Sequence, residues 1–192
     1  MKKMRNNFGL KMMAMMVLSF ILLSSCKTNG QSKTQSSNDQ AKPPKMDIHA
    51  AAFMGDVDAI KAHVKAGTDL NKKDQYGSTP LTITATFNKT KAAMALIEGG
   101  ADLNAKSGDG STALHTAAFL CRTDIVKSLL QNGADKSLTN NYGSNALQSV
   151  SGPFAEVKPI YEQLNRDLGA FGLKLDYDFL EEHRPVVARL LK

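Results

Sequence analysis

The sequence has little of what defines most ligand clefts and catalytic centres. It contains no tryptophan, and aromatic residues make up 6% of its 192 residues. So few aromatic side chains argue against stacked nucleic-acid bases and against an aromatic-lined ligand cleft. The sequence also has no Cys-x-x-Cys, no His-Glu-x-x-His and no Gly-rich phosphate loop. We therefore expect no catalytic residues, no metal site and no cofactor.

The net charge gives no support for nucleic-acid binding. The formal charge is +6, but Lys2, Lys3, Arg5 and Lys11 lie in residues 1–25, where there is no acidic residue. The rest of the sequence has 20 basic and 18 acidic residues, which leaves a net charge of about +2. No Lys/Arg stripe runs through this part, so neither nucleic acid nor direct contact with lipid headgroups is expected.

Residues 1–25 have the layout of a secretory signal peptide. A basic stretch reaches Lys11, an apolar stretch covers residues 12–23, and Ser24 and Ser25 precede Cys26. The apolar stretch is too short for a membrane-spanning helix, which needs about 20 residues. The pattern therefore indicates export rather than a transmembrane anchor.

Leu23-Ser-Ser-Cys26 resembles the lipobox of bacterial lipoproteins. The resemblance implies cleavage before Cys26, a thioether-linked diacylglycerol on its sulfur and an acylated amino group, hence anchoring in the lipid bilayer. An ordinary signal peptide with an incidental cysteine is the alternative. Lys27 follows the cysteine where an Asp would be a retention signal, so the resemblance implies the cell envelope, and within it the outer membrane.

Residues 26–44 are interpreted as a flexible tether between the lipid and a folded domain at 45–192. From Thr28 to Pro44 the chain is polar and has no large apolar residue. Such a segment cannot bury enough surface to offset its ordering entropy. After cleavage and lipidation, Cys121 would be the remaining free thiol, and we expect it to be a partly buried apolar filler rather than a nucleophile.

Two phrases recur in phase at a period of 33 residues. One phrase reads Gly77-Ser-Thr-Pro-Leu81, Gly110-Ser-Thr-Ala-Leu114 and Gly143-Ser-Asn-Ala-Leu147. The other opens at Gly67-Thr-Asp, Gly100-Ala-Asp and Gly133-Ala-Asp. A fixed period of this size is typical of stacked repeats rather than of one globular core.

The third copy, with Asp109–Ala118 and Asp124–Asp135, resembles the ankyrin repeat and its phrases Thr-Pro-Leu-His-x-Ala-Ala and Val-x-x-Leu-Leu-x-x-Gly-Ala-Asp. The resemblance implies an all-α solenoid of about four helix-turn-helix repeats, with short turns or β-hairpin tips and a helical C-terminal cap. The repeats fall at about 41–73, 74–106, 107–139 and 140–192.

The residues support this reading independently. Thr79 and Thr112 can cap the first helices of their repeats. Gly67, Gly100 and Gly133 can take the left-handed geometry that ends the second helices.

The fourth repeat departs from the pattern. Its second helix should begin near residue 158, but Val186–Leu191 carries the matching sequence, which predicts an insertion of about 28 residues. Val157, Ile160, Leu164 and Leu168 have helical spacing within it. A last helix is expected over 176–192, with Asp176 as its cap. The segment is interpreted as a cap over repeat three, and a specialised functional element is the alternative.

His49 and His115 lie two periods apart at the same repeat position. The ankyrin resemblance implies that each hydrogen-bonds between adjacent turns. Because the two histidines belong to repeats that are not neighbours, they are not expected to share a metal ion. A charged helix face is the preferred interpretation of the acidic residues near His183.

Ankyrin stacks present turn tips and the inner face of their first helices as a concave binding surface. By position, the resemblance gives as turn tips Gln75, Tyr76, Gly108, Asp109, Asn141 and Tyr142. It gives as inner-face residues Phe53, Met54, Thr86, Phe87, Phe119 and Leu120. From these the expected partner contacts are Gln75, Tyr76, Phe87, Asp109, Phe119, Leu120 and Tyr142. The alternative for the three phenylalanines is packing between repeats.

Together these features predict a non-enzymatic protein–protein interaction module, anchored in the bacterial cell envelope through Cys26. One alternative is an inhibitor or immunity-type protein that caps an exported enzyme or toxin. A second is an enzyme that uses Asp176, Asp178 and Glu181 of the C-terminal extension. A third is a purely structural envelope protein.

Overall fold

The computed structural model describes residues 44–192, which form helices and turns without a β-strand. Nine α-helices and one 3-10 turn follow one another in this part of the chain. They are α1 (Ile48–Met54), α2 (Val57–Lys65), α3 (Pro80–Thr86), α4 (Thr90–Glu98), α5 (Ala113–Phe119), α6 (Thr123–Gln131), α7 (Gln148–Ser151), α8 (Phe154–Leu168), the 3-10 turn Gly169–Phe171 and α9 (Tyr177–Leu191).

The helices form two layers. The first helices of successive repeats, α1, α3, α5 and α7, pack side by side, and the second helices α2, α4 and α6 form the layer behind them. Each pair of helices cannot bury its apolar face alone, so the core continues from one repeat into the next. The result is the expected solenoid, with short turns rather than β-hairpins within residues 44–192.

The helix ends follow from the residues at the repeated positions. The Oγ1 of Thr79 accepts from the Thr82 amide at 3.2 Å, and Pro80 follows in the first turn of α3. After the second helices, Gly67, Gly100 and Gly133 have φ of 64°, 87° and 87°. Behind each glycine the next amide bonds the carbonyl five residues back, as Ala134 N does with Leu129 O at 3.0 Å. These caps were predicted from the sequence.

Small side chains let the first helices approach one another. Ala51 and Ala52 in α1, and Ala117 and Ala118 in α5, are completely buried. The second helices contribute larger residues, and Leu129 is equally buried. In the first repeat this position is held by His63, whose Nε2 donates to the Met46 carbonyl at 2.8 Å. That bond satisfies a buried polar ring where the later repeats place leucine.

The 28-residue insertion predicted in the fourth repeat is also present. The helix α7 continues the first layer against α5 but has four residues, and α8 follows it directly. The helix α9 then packs against α5, α6 and α7, in the place of a second helix. Asp176 caps α9 by accepting from the Phe179 amide at 3.1 Å. The C-terminal segment therefore covers the third repeat, as expected of a cap.

Candidate binding surface

The turn tips of three repeats share one backbone hydrogen bond. In each turn a backbone amide donates a hydrogen bond to the carbonyl four residues later in the chain. The donors are Asp74, Ser107 and Asn140, and the distances are 3.0, 2.8 and 3.0 Å. At the outer two turns a side chain closes the loop as well: Asp74 Oδ1 accepts from the amides of Tyr76 and Ser78. Asn140 does the same for Tyr142 and Ser144. These bonds fix the backbone that carries the tip side chains.

The second and third of these turns are also joined to each other. The Asn141 amide donates to Asp109 O at 3.0 Å. A Cβ on Gly110, where φ is 78°, would collide with the Oδ1 of Asn141 and lie 2.8 Å from its amide nitrogen. A Cβ on Gly77 would lie 2.9 Å from Gly108 Cα. Glycine is therefore required at positions 77 and 110 for close approach as well as for positive φ.

A second ladder of bonds joins the repeats below the tips. Asn71 Oδ1 accepts from the Asp102 amide at 2.7 Å, and Asn104 Oδ1 accepts from the Asp135 amide at 2.9 Å. The position that follows in this series is Ser137, whose hydroxyl bonds Asp135 instead. The side chains of these two asparagines thus hold adjacent repeats in register.

The predicted tip residues differ in how far their side chains are exposed to solvent and free of bonds within the turn. Gln75 is exposed, Tyr142 is 58% exposed, and Tyr76 is half-buried. The carboxylate of Asp109 accepts from the Ser111 amide at 3.0 Å and from the Ser111 hydroxyl at 2.9 Å. Asp109 thus also has an internal role in its own turn.

The inner-face prediction needs one correction. Leu120, the residue that ends α5, is 2% exposed and packs in the apolar core. It is not available to a partner on this surface. Met54, at the same end of α1, is 62% exposed.

The three phenylalanines of the inner face pack against other rings. Phe53 and Phe87 meet edge to face, with ring centroids 4.7 Å apart. Phe119 instead stacks on Tyr161 of the insertion, with centroids 4.5 Å apart. Packing between repeats, the alternative weighed from the sequence, is therefore realised for Phe53 and Phe87, and the insertion covers Phe119.

The loops between first and second helices contain a repeat that the sequence reading missed. Gly55, Asn88 and Cys121 lie 33 residues apart and have φ of 77°, 54° and 52°. In each loop the amide of the following residue donates a hydrogen bond to the carbonyl five residues earlier, as Arg122 N does to Ala117 O at 2.8 Å. Only the first of the three is glycine, so the sequence shows no repeated residue that would reveal this 33-residue period of positive φ.

Cys121 is buried and unpaired within residues 44–192. Burial raises the pKa of its thiol to about 11, so the thiol stays protonated at neutral pH. This agrees with the expectation of an apolar filler rather than a nucleophile. The other cysteine, Cys26, lies outside the described residues, as do the signal peptide and nearly all of the tether.

The histidines serve the backbone. His115 Nε2 donates to Ser144 O at 3.0 Å, and its Nδ1 accepts from the Thr112 amide at 3.2 Å. Burial lowers the pKa of His115 and keeps the ring neutral. His49 Nε2 donates a hydrogen bond to Lys72 O at 2.7 Å, just before the next turn. Within residues 44–192 no three His, Cys, Asp or Glu side chains are grouped so as to hold a metal ion.

The last helix, α9, carries a buried arginine. Arg184 is 3% exposed, and its Nη1 donates to Tyr161 Oη at 2.8 Å and to Ser149 O at 3.3 Å. Its Nη2 donates to Gly152 O at 3.2 Å. Arg184 also lines a cleft of about 630 Å³ between α9 and the junction of α7 with α8.

The helices of residues 44–192 include none with the length and apolar character needed to cross a bilayer.

The comparisons with known proteins agree with this architecture. Residues 48–140 match the family model of ankyrin repeats, in three copies. Among solved structures, one similar chain is the ankyrin repeat domain of Bcl-3, described as a unique member of the IkappaB protein family. The identity is 28% and the TM-score 0.51, with 53% of this chain and 45% of that chain covered. The chain thus spans less than half the length of that domain. No match was found among the curated proteins.

Residues 48–140 thus carry the sequence pattern of ankyrin repeats, and residues 44–192 fold as a helical ankyrin-repeat solenoid. Ankyrin repeats are protein–protein interaction modules and are typically not catalytic.

Proposed function

We propose that this chain is a non-enzymatic interaction module that binds a protein partner through its row of turn tips and is held at the bacterial cell envelope by a lipid on Cys26. The observation that carries the proposal is the combination of a fixed turn backbone with an exposed aromatic side chain. Tyr142 is 58% exposed although its own amide is bonded to Asn140 Oδ1 at 3.0 Å.

A fixed tip lowers the entropic cost of binding, because little backbone freedom is left to lose. Tyrosine is enriched among interface anchors, since its ring offers area and its hydroxyl a hydrogen bond. Gln75, Tyr76 and Tyr142 are the predicted contacts on the tips. The half-buried Phe87 contributes an apolar edge to the same face, and Asp109 contributes charge.

The binding experiment compares partners captured by cross-linking from native membranes and read by mass spectrometry. Tyr76→Ala with Tyr142→Ala should lose a partner that the wild-type chain captures. Met94→Ala is the matched control, because Met94 is an apolar side chain, 37% exposed, on the second-helix layer. Capture of the same partner by the tip variant and the wild type would overturn the assignment of the binding surface.

The anchoring is tested separately. Cys26→Ala should move the chain from the detergent phase to the aqueous phase after phase separation, because the acyl chains supply the membrane affinity. Cys121→Ala is the control and should stay with the detergent. A Cys26→Ala chain that remains in the detergent phase would contradict the lipoprotein assignment. The Lys at position 27 supports an outer-membrane destination, and membrane fractionation tests it.

A further inference from the structure

The cleft beside α9 is lined by more basic than acidic side chains. Its floor includes Arg184, and Arg189 and Lys192 line the same cleft. Glu181 is the acidic residue among the lining residues. Three basic side chains and one acidic side chain give the cleft lining a net positive charge.

Arg184 is an unusual buried cation. Its guanidinium donates to two carbonyl oxygens and one phenol oxygen, and within residues 44–192 no carboxylate lies within 4.0 Å of it. A buried charge is costly unless an opposite charge accompanies it, and neutral acceptors satisfy its hydrogen bonds without cancelling its charge. Burial raises the pKa of Tyr161 to about 12, so its hydroxyl remains neutral and does not supply the missing charge.

The start of α8 adds to the positive potential. Gly152 and Phe154 line the cleft, and α8 begins at Phe154 with Pro153 as its N-cap. No side chain caps this end of the 15-residue helix. The helix dipole at this end favours a negative group, and Glu156 is the acidic residue of the first turn.

We propose that this cleft binds the carboxylates of an acidic peptide segment of a protein partner. Arg184 would set the charge at the base of the cleft, while Arg189 and Lys192 would meet carboxylates at its rim. A cleft volume of about 630 Å³ suits several side chains rather than one small anion. This site lies between α9 and the junction of α7 with α8, away from the turn tips, so it does not depend on the function proposed for them.

The test uses the full chain in non-ionic detergent micelles and a fluorescent hexaglutamate peptide, read by anisotropy. Hexaglutamate should bind saturably and more weakly as salt rises, and hexaglutamine should not bind. Arg189→Gln with Lys192→Gln should weaken binding at least tenfold. Lys61→Gln with Lys65→Gln removes the same charge from exposed positions of α2 and should bind as the wild type does.

Arg184 is followed without destabilising the fold. Its Nε–Hε resonance, assigned by its loss in Arg184→Lys, should shift as hexaglutamate is added. Equal weakening in both double variants would mean attraction by net charge and would overturn the proposal. So would an unmoved Arg184 resonance, or full displacement of the peptide by equimolar phosphate or glycerol 1-phosphate. Hexaglutamate binding that survives Tyr76→Ala with Tyr142→Ala separates this site from the turn-tip surface.

Discussion

The hydroxyl of Tyr161 donates a 2.6 Å hydrogen bond to the backbone carbonyl of Phe119, while the two rings stack with centroids 4.5 Å apart. This pair joins the inserted helix α8 to the end of α5, 42 residues earlier. The same hydroxyl accepts from Arg184 Nη1 at 2.8 Å. One side chain thus connects the third repeat, the insertion and the last helix.

Tyr161→Phe should destabilise the chain by about 1–3 kcal/mol, because it removes the hydroxyl and leaves a buried donor of Arg184 with one acceptor fewer. The ring stack on Phe119 is kept, so the change isolates the hydrogen bonds. Urea unfolding measures the effect. Tyr142→Phe is the control, and its exposed hydroxyl should make no difference. Equal stability of Tyr161→Phe and the wild type would show that the hydroxyl does not hold the cap.

Gly110→Ala should cost clearly more stability than Gly143→Ala. Both glycines have positive φ, 78° and 75°, so both variants have backbone strain of roughly 1–2 kcal/mol. At Gly110 the added Cβ also meets Asn141, whereas at Gly143 nothing lies within 4 Å. Overpacking of this kind adds about 1–3 kcal/mol. Thermal or urea unfolding of the two variants compares them directly, and equal losses would contradict the stacking of the turns.

His115 should make the chain less stable in acid. Its pKa in the folded state is below 6.5 because burial penalises the charged ring, so the unfolded chain takes up its proton first. The stability that the neutral ring contributes is complete above pH 6.5. It falls as the pH drops through 6.5 toward the folded-state value. His115→Gln removes this titration, so its stability difference from the wild type should narrow at pH 5. A difference that is constant between pH 5 and 8 would argue against a buried neutral imidazole.

The Cys121 thiol should resist alkylation in the folded chain. It is 3% exposed, and its pKa of about 11 leaves little thiolate at pH 8. Iodoacetamide labelling of the Cys26→Ala variant, in which Cys121 is the remaining cysteine, should be slow in buffer and fast in urea. Rapid labelling without denaturant would place the thiol at the surface.

The repeat architecture could be read from the sequence because its determinants are local and periodic. Gly67, Gly100 and Gly133 end helices through their own backbone conformation, and Thr79 caps the helix that follows it. Such signals act within a few residues of their position, so the 33-residue period, the caps and the presence of the insertion were visible without coordinates. The position of Asp176 as the cap of α9 was predicted for the same reason.

What the tertiary structure alone decided are the contacts between distant parts of the chain. Only the packed structure shows that Leu120 is buried, that Tyr161 of the insertion covers Phe119, and that no carboxylate among residues 44–192 lies within 4.0 Å of the guanidinium of Arg184. The left-handed conformation of Cys121 was equally hidden, since two of its three periodic positions are not glycine. Short-range patterns fix helices and turns, whereas burial and charge at a surface depend on which segments meet when the chain folds.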